Sequence, residues 1–334
     1  MRLCPYCRSE RRSRRVEARE MSQATRESFA YLVCGDCGSA RIAEMPADIG
    51  NYYQGYYSLD ATPRRPTAAT LAKRAAAALL RPFIQPASLR TIRTLLRHPP
   101  RWAWPILSPN LQAFLYLGPS PRARIIDVGS GNGAFVANLR RLGFREARGI
   151  DPLIDAGRLP HRDGLVRRGR IEDVAGQFDV ITFNHSLEHM PSPRHVLDHA
   201  AGLLAPGGTI VVHIPNIESV EFQRFGGDWW GLHAPRHFTL PTARGLSLAA
   251  RSAGLGVSDR IFTSRYDNYL YSAEYERGIA DHDPGSLRAG GPRCVWSRRD
   301  IGAAAERAMI HNATGEADWV CYYLTHADES RWTG

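Results

Sequence analysis

The sequence lacks the features that mark membrane, secreted and disordered proteins. Its 334 residues contain no apolar run of about 18 residues, so we expect no transmembrane helix. The N-terminal stretch MRLCPYCRSERRSRR has no apolar core of the kind that a secretory signal requires, and we therefore expect a cytoplasmic protein. An apolar fraction of 43% with 23% charged residues excludes a wholly disordered chain.

Acidic residues are missing from one segment of a chain whose formal net charge is +10. Residues 61–110 contain eight arginines, the only lysine and no Asp or Glu. A helix over Ser88–Arg97 would carry apolar and basic residues on different faces: Leu89, Ile92 and Leu96 against Arg90, Arg93 and Arg97. Such a helix could bind an anionic membrane surface peripherally, or a polyanion. It could equally cover the main domain and leave its arginines in solvent.

Four of the six cysteines form two pairs, Cys4-Pro5-Tyr6-Cys7 and Cys34-Gly35-Asp36-Cys37. In a chain expected in the cytoplasm, paired thiols indicate a metal site before they indicate disulfides. Two turns that each supply two thiolates complete the tetrahedral sulfur set that structural zinc prefers. A redox-active CxxC is the alternative, but two such pairs near one terminus disfavour it. We therefore predict structural zinc bound by Cys4, Cys7, Cys34 and Cys37.

The remaining pattern predicts three regions: a zinc-ribbon domain at 1–60, a basic helical linker or cover at 61–115, and an α/β domain at 116–334. In the last region apolar strands alternate with helices, which favours a doubly wound, parallel sheet covered on both faces. The predicted strands are Arg124–Val128, Ala147–Ile150, Leu165–Arg168, Phe178–Phe183, Thr209–Ile214, Gly256–Phe262 and Trp319–Leu324. The predicted helices include Gly133–Leu142 and Pro193–Leu204.

A glycine-rich turn follows the first of these strands. Its sequence, Asp127-Val-Gly-Ser-Gly-Asn-Gly133, places glycines at alternate positions, where a ligand can approach the backbone before the chain turns into a helix. Asp127 at the strand end can orient this loop or meet a cationic ligand. Asp151 ends the next strand, where an acidic side chain can accept both hydroxyls of a ribose.

With these motifs, residues 124–216 resemble the core of class I S-adenosylmethionine-dependent methyltransferases. The resemblance implies a Rossmann-like, seven-stranded sheet and S-adenosylmethionine as cofactor. It assigns the methionine part of the cofactor to the loop and the ribose to Asp151. It also implies that Glu172 and Asp173 contact the adenine side, and we add Asn184 to the cofactor set. The predicted cofactor-binding residues are therefore Asp127, Gly129, Ser130, Gly131, Gly133, Asp151, Glu172, Asp173 and Asn184.

Two further segments resemble a bacterial subgroup of these enzymes: Asn184–Pro193 with its Leu-Glu-His, and Trp229–Phe238 with its Pro-Arg-His. Many members carry a cysteine-paired ribbon and a Tyr-Tyr cluster, as found here at Tyr52-Tyr53. The resemblance implies methylation of a small-molecule or carrier-linked acceptor in the metabolism of sugars, glycans or secondary metabolites. Residues 264–317 fit the subgroup less closely, and we interpret them as a lid over the acceptor or an interface.

The reaction needs a positioned acceptor and a group that removes its proton. His189 follows the fourth strand, at the end of the sheet where ligands bind, and we predict it as a catalytic base together with His237. The segment around His237 combines apolar walls with a few polar anchors, so Arg236, His233 and Trp230 are predicted to bind the acceptor. The alternative is that these residues only fix a loop against the sheet.

Other functions are compatible with parts of the sequence. A ribbon plus a basic segment could hold RNA, which would make the protein an RNA methyltransferase. Against nucleic acid, the basic segment has few interleaved aromatic residues, and the fourth-strand loop lacks the Asn/Asp-Pro-Pro-aromatic pattern of base amino-group methylation. A non-catalytic binding module and a nicotinamide dehydrogenase are further alternatives, but the intact glycine loop disfavours the former and the later motifs disfavour the latter.

Overall fold

The computed structural model describes residues 3–11, 13–53, 96–99, 107–154 and 164–328. Most of the basic segment 61–110 lies outside these residues. The predicted contact of this segment with a membrane or a polyanion therefore also lies outside them. The described end of the segment packs on the main domain. Leu96 is buried in a cluster with Leu107 and Phe114, and the Arg97 guanidinium forms a 3.0 Å ion pair with Asp259.

The larger sheet has seven strands, and it confirms the predicted α/β fold. Five parallel strands occupy its centre and one side: β4 (Ile125–Val128), β5 (Ala147–Asp151), β6 (Val166–Arg168), β7 (Phe178–Asn184) and β8 (Leu204–Pro215). The last two are β10 (Leu255–Phe262) and β11 (Trp319–His326). The order across the sheet is β10-β11-β8-β7-β4-β5-β6.

Helices pack on this sheet, and buried side chains fill both interfaces. The described helices are α1 (Pro109–Leu117), α2 (Ala134–Leu142), α3 (Pro193–Leu203), α4 (Val220–Phe225), α5 (Ala243–Ser252), α6 (Tyr266–Glu276) and α7 (Arg298–Thr314). Helices α6 and α7 lie within residues 264–317, the predicted lid or interface. Along the described chain, no helix combines the length and apolarity needed to cross a membrane.

Two details of the sheet differ from the sequence expectation. The final strand, β11, inserts antiparallel between β10 and β8, so the sheet is not wholly parallel. Strand β8 begins at Leu204, before the predicted start at Thr209, and includes Pro206-Gly207-Gly208. Both follow from tertiary pairing, since β8 extends along β7 as far as the Phe178–Leu204 pair.

A second, four-stranded sheet contains the N-terminal strands β1 (Arg14–Arg19), β2 (Ser28–Val33) and β3 (Ala40–Ile42). Its fourth strand, β9 (Thr239–Leu240), comes from the segment after Pro-Arg-His and pairs antiparallel with β3. Among the described residues, the ribbon and the α/β region are therefore joined by backbone hydrogen bonds.

Candidate active site

The glycine loop lies where β4 ends and α2 begins. Gly129, Gly131 and Gly133 all have positive φ angles, of 74°, 53° and 71°, which glycine adopts without strain. A Cβ atom on Gly129 would lie 2.5 Å from the Cβ of Ser186, so no larger residue fits there. These positions form the tight strand-to-helix turn that the sequence predicted.

Asp127 fixes the base of this loop. Its carboxylate is buried and accepts hydrogen bonds from the Thr182 hydroxyl at 2.6 Å and the Asn184 amide at 2.9 Å. Burial raises the pKa of Asp127 to about 6, although both hydrogen bonds lower it. Asp127 and Asn184, both predicted as cofactor residues, are thus in direct contact and tie β4 to β7.

Asp151 lies opposite the loop, at the end of β5. One of its carboxylate oxygens accepts the backbone N–H of Gly131 at 2.9 Å, and the other accepts that of Leu153 at 2.8 Å. A carboxylate has about four lone-pair positions, so two remain for ribose hydroxyls. The side chain therefore orders the loop in addition to its predicted role.

The two acidic residues after β6, Glu172 and Asp173, have different contact partners. Asp173 accepts the backbone N–H of Arg170 at 2.8 Å and so caps the 3₁₀ turn Ile171–Asp173. The Glu172 carboxylate instead lies 3.3 Å from the His195 imidazole on α3. Its predicted adenine contact remains a proposal.

The loop fits an S-adenosylmethionine molecule on three observations. The glycines let a ligand approach the backbone, Asp151 retains acceptor capacity, and the buried hydroxyl of Ser130 beside the loop has no hydrogen-bond partner in the protein. A buried polar group without a partner is uncommon and indicates a missing ligand or water. Ser130 belongs to the predicted cofactor set.

A group of histidines surrounds Glu188, in the 3₁₀ turn Leu187–His189 after β7. Glu188 is fully buried, and neither carboxylate oxygen has a hydrogen-bond partner in the protein. One oxygen lies 3.4 Å from His185 Nδ1 and 4.0 Å from His237 Nε2. The rings of His189 and His237 are 4.8 Å apart, and those of His237 and His233 are 5.2 Å apart. The two predicted catalytic histidines are therefore brought together on a buried carboxylate.

Backbone carbonyls define which ring nitrogens carry hydrogen. His237 Nδ1 lies 2.7 Å from the Gly231 carbonyl, and His189 Nδ1 lies 2.8 Å from that of Arg236. Because a carbonyl only accepts, each Nδ1 must donate, which leaves the lone pair on Nε2. Burial lowers the pKa of His237 to about 3 and also lowers that of His189, so both rings are neutral near pH 7.

Glu188 itself stays ionised. Burial raises its pKa, the contacts with His185 and the other neighbouring histidines together lower it by more, and the net shift is downward. Glu188, His189 and His237 offer donor atoms within 4.8 Å of one another, which would also suit a metal ion. The neighbouring Arg236 guanidinium disfavours a second buried cation at this position.

Aromatic rings extend the site away from Glu188. Trp230 contacts His233 and Tyr271, and its ring centre lies 6.2 Å from that of Trp319. Trp319 in turn lies 4.5 Å from His185, which closes a circuit of contacts back to Glu188. The indole N–H groups of both tryptophans are buried without a partner in the protein. The hydrogen-bonding groups of this circuit that have no partner in the protein are suited to binding a polar substrate that accepts the methyl group.

Arg236 occupies a different position from the one we expected for an acceptor-binding fork. It is only 1% exposed, and its guanidinium donates to His233 Nε2. This bond fixes the His233 ring, which in turn contacts His237. Direct binding of the acceptor by Arg236 and His233 remains a proposal.

The ribbon holds this histidine loop in place. The Tyr31 hydroxyl of β2 donates to the carbonyls of His237 at 2.9 Å and Leu232 at 3.3 Å. The Phe238 carbonyl accepts the Ile42 N–H at 2.9 Å, while the Phe238 N–H donates to the Glu188 carbonyl at 2.7 Å. The ribbon and the turn that carries Glu188 are thus connected through one residue of the loop.

Tyr53, from the predicted Tyr-Tyr cluster, also reaches the site. Its hydroxyl lies 3.0 Å from His189 Nδ1 and donates to the Arg236 carbonyl at 3.3 Å. The subgroup resemblance associates the Tyr-Tyr cluster with the two motifs, and the contacts of Tyr53 with residues more than 130 positions later in the chain arise from tertiary packing.

The four predicted zinc ligands meet at the end of the ribbon. Sγ atoms of Cys4 and Cys37 are 3.7 Å apart, those of Cys7 and Cys34 are 3.6 Å apart, and all four lie within 4.8 Å of one another. Tetrahedral coordination with Zn–S bonds of about 2.3 Å places sulfurs about 3.8 Å apart. None of these cysteines forms a disulfide. The donor set therefore fits zinc, and its occupancy is a proposal.

Residues 101–258 match the family model described as a methyltransferase domain. The matched segment, slightly less than half of the chain, is similar to that family. It contains the glycine loop, Asp151, Glu188 and the Pro-Arg-His motif, whereas the ribbon and β11 lie outside the match.

Two curated relatives match parts of the chain. The ubiquinone biosynthesis O-methyltransferase of Bordetella avium is 29% identical over 151 residues, covering 40% of this chain and 61% of the relative. The enzyme of the same name from Xanthomonas campestris pv. campestris is 36% identical over 113 residues, covering 30% and 47%. The chain thus spans less than two thirds of the length of these relatives.

Solved structures include a similar S-adenosylmethionine-dependent methyltransferase from Thermotoga maritima. It is 18% identical, with a TM-score of 0.42, and the match covers 75% of this chain and 99% of that one. A cyclopropane synthase from Mycobacterium tuberculosis has 19% identity and a TM-score of 0.40, with coverages of 64% and 81%.

Sequence reasoning misses three contributors to the candidate site. Trp319 is predicted only as the start of a strand, Tyr31 belongs to no motif, and the pattern around Glu188 does not indicate that its side chain is buried. Periodicity could not place them, because each acquires its role through contacts between distant segments. The Leu-Glu-His motif was the one available signal for Glu188.

Proposed function

We propose that this protein transfers the methyl group of S-adenosylmethionine to a hydroxyl of a small or carrier-linked acceptor, such as a sugar, a glycan or a secondary metabolite. Support comes from the methyltransferase domain at 101–258 and from relatives named as O-methyltransferases. The unpartnered indole donors and the unpartnered carboxylate around the histidines match hydroxyl groups, which both donate and accept hydrogen bonds.

The glycine loop and Asp151 would hold the cofactor in this reaction. When bound, S-adenosylmethionine supplies a methyl group that its sulfonium makes electrophilic. The protein must align the acceptor oxygen and take up one proton, and these tasks fall to the residues around Glu188.

The observation that carries the proposal is the His237–Glu188 contact. His237 is neutral, its Nδ1 hydrogen is held by the Gly231 carbonyl, and its Nε2 lone pair can therefore accept the acceptor's hydroxyl proton. The Glu188 carboxylate, 4.0 Å from Nε2, would stabilise the imidazolium that forms. His189, in ring contact with His237, either shares this role or positions the acceptor.

Replacement of the base tests the proposal. We expect His237→Asn to reduce turnover about 10²–10⁴-fold, because general-base catalysis contributes a factor of that size. The assay follows transfer of labelled methyl from S-adenosylmethionine to a panel of nucleotide sugars and polyhydroxylated phenols. Affinity for S-adenosylhomocysteine and the melting temperature should not change.

The exposed His282 provides a matched control, since His282→Asn should leave turnover unchanged. Normal turnover by His237→Asn would remove His237 from the reaction. Early melting of His237→Asn, with lost cofactor binding, would make its role structural.

A further inference from the structure

A second histidine group lies on α3, away from Glu188. His195 and His199 are one helical turn apart, so their side chains lie on the same face. Their rings are 4.4 Å apart at an angle of 63°. Glu172, from the turn after β6, approaches the same face, and its carboxylate oxygen lies 3.3 Å from His195 Nε2.

The ring nitrogens of this group are arranged for coordination. His199 Nδ1 lies 3.2 Å from the backbone carbonyl of His195, so it donates there and leaves the lone pair on Nε2. Hydrogen bonding of one imidazole nitrogen to a carbonyl is the usual way in which proteins orient a metal-ligating histidine. One donor atom from each of Glu172, His195 and His199 lies within 4.8 Å of the others.

We infer that Glu172, His195 and His199 bind a divalent transition-metal ion of the zinc class. Two imidazoles and one carboxylate are a donor set that such ions accept, and a fourth position is left for water. The side chains of His195 and Glu172 are 56% and 35% exposed, so an ion can reach them from solvent. The inference assigns Glu172 to the ion in place of its predicted adenine contact, and it uses no other residue of the predicted cofactor or acceptor sites.

A cavity beside the group gives room for the open coordination position. It has a volume of about 300 Å³ and is lined by Ile171, Val174, Asp198, His199, Gly202 and Leu203. Asp198 adds a second carboxylate to the surroundings of His199. The cavity is shallow and mainly apolar and leaves this side of the group open to water, and the carbonyl-held imidazole is the observation that favours an ion at this position.

The ion would connect two elements that flank the cofactor half of the methyltransferase domain. Glu172 belongs to the turn Ile171–Asp173, and the preceding Gly169 N–H donates to the Asp151 carbonyl at 3.1 Å. Binding only to the folded protein raises its stability by mass action. The site would therefore act as a clasp between this turn and α3.

The test uses the full chain after its cysteine cluster has been loaded with zinc and excess metal removed. Calorimetric titration with Zn²⁺ should then show one further equivalent bound, with a rise in melting temperature. His199→Ala should weaken this binding at least tenfold and abolish the rise in melting temperature, and Glu172→Gln should weaken it to a smaller extent. The exposed His282→Ala serves as the control and should bind as the wild type does.

Three results would overturn the inference. The first is no saturable binding beyond the cysteine cluster, which would reduce the His195–Glu172 contact to an ion pair. The second is unchanged binding by His199→Ala. The third is loss of the additional equivalent in Glu188→Gln, which would assign the ion to the buried Glu188–His189–His237 group.

Discussion

At the scale of single residues, Glu188 has the most unusual environment in the described chain. A fully buried carboxylate without hydrogen-bond partners in the protein has lost its hydration, and the surrounding histidines are the groups that offset this cost. Its position beside His237 explains why the protein would retain it. Strain of this kind is typical of functional sites.

Glu188→Gln is therefore predicted to separate activity from stability. The amide conserves volume but removes the charge that would stabilise protonated His237, so turnover should fall by about 10²-fold or more. The melting temperature should stay close to that of the wild type, because the amide fills the same volume and removes the desolvation cost of the charge together with its contact to His185. Differential scanning calorimetry with the methyl-transfer assay measures both, and a strongly destabilised variant would contradict the prediction.

Asp151→Ala should weaken cofactor binding. Loss of the acceptor for ribose hydroxyls costs about 1.5–3 kcal/mol, and the released Gly131 N–H adds to the loosening of the loop. Titration calorimetry with S-adenosylhomocysteine measures the loss. The isosteric Asp151→Asn should lose less affinity, and unchanged affinity in both variants would place the ribose elsewhere.

The buried histidines predict how stability depends on pH. The pKa of His237 falls to about 3 on folding and those of His189 and His233 also fall, in each case chiefly through burial. Above pH about 6.5 these rings are neutral in both states and impose no penalty. As the pH falls below that value, the unfolded chain binds protons that the native chain does not, so the free energy of unfolding decreases towards pH 3.

For one histidine the decrease reaches about 1.4 kcal/mol per pH unit. Urea unfolding at pH 7, 6 and 5 should show a shallower decrease for His237→Asn than for the wild type. The His282→Asn control should keep the wild-type slope. Equal slopes in all three proteins would mean that His237 is protonated in the native state.

At the scale of elements, strand β2 of the ribbon holds the loop that carries His237, the proposed base. Tyr31→Phe removes the hydroxyl that bridges the carbonyls of His237 and Leu232, leaving two buried acceptors without their donor. We expect a reduced kcat with unchanged affinity for S-adenosylhomocysteine. Tyr52→Phe, in the adjoining 3₁₀ turn, is the control, because the Tyr52 hydroxyl contacts Glu27 instead. Wild-type kcat in Tyr31→Phe would show that β9 alone holds the loop.

The cysteine cluster should also affect methyl transfer through the ribbon. We predict one tightly held zinc per chain at the four cysteines, measurable by elemental analysis after excess metal has been removed, because metal binding and folding of the ribbon are coupled. Cys34→Ser should loosen β1–β3 and, through the β3–β9 pairing, reduce methyl transfer. Cofactor affinity should persist, since the glycine loop belongs to the other sheet. Carefully purified protein without zinc would refute the assignment.

The elements that could be predicted from the sequence are those whose formation depends on the residues within the element itself. Strands β4 to β8, helix α2 and helix α3 follow from apolar runs, glycines and prolines, and their observed bounds differ from the predicted ones mainly at the ends. The two-residue strand β9 has no such pattern, because its only reason to be extended is a partner about 200 residues earlier in the chain. The direction of β11 was likewise set by its neighbours.

At the scale of the whole molecule, both sheets contribute to the site, and each contributes different parts of it. The seven-stranded sheet supplies the glycine loop, Asp151 and Glu188, while the ribbon sheet holds the segment that carries His237. The sequence could place each motif on its element, yet the circuit from Glu188 through Trp230 and Trp319 depends on packing. This is why the histidines and Trp230 could be predicted from their motifs, whereas the contact of Trp319 with them could not.

The shared strand β9 also affects how the chain is made. Strands β1–β3 leave the ribosome before β9, the partner of β3, which begins only at Thr239. At a synthesis rate of about 5–20 residues per second, the edge of β3 therefore remains unpaired for roughly 10–40 s. An unpaired edge strand is a template for pairing with other chains. A nascent chain that stalls before Thr239 should therefore self-associate through Ala40–Ile42, whereas release of the complete chain covers that edge with its own later segment.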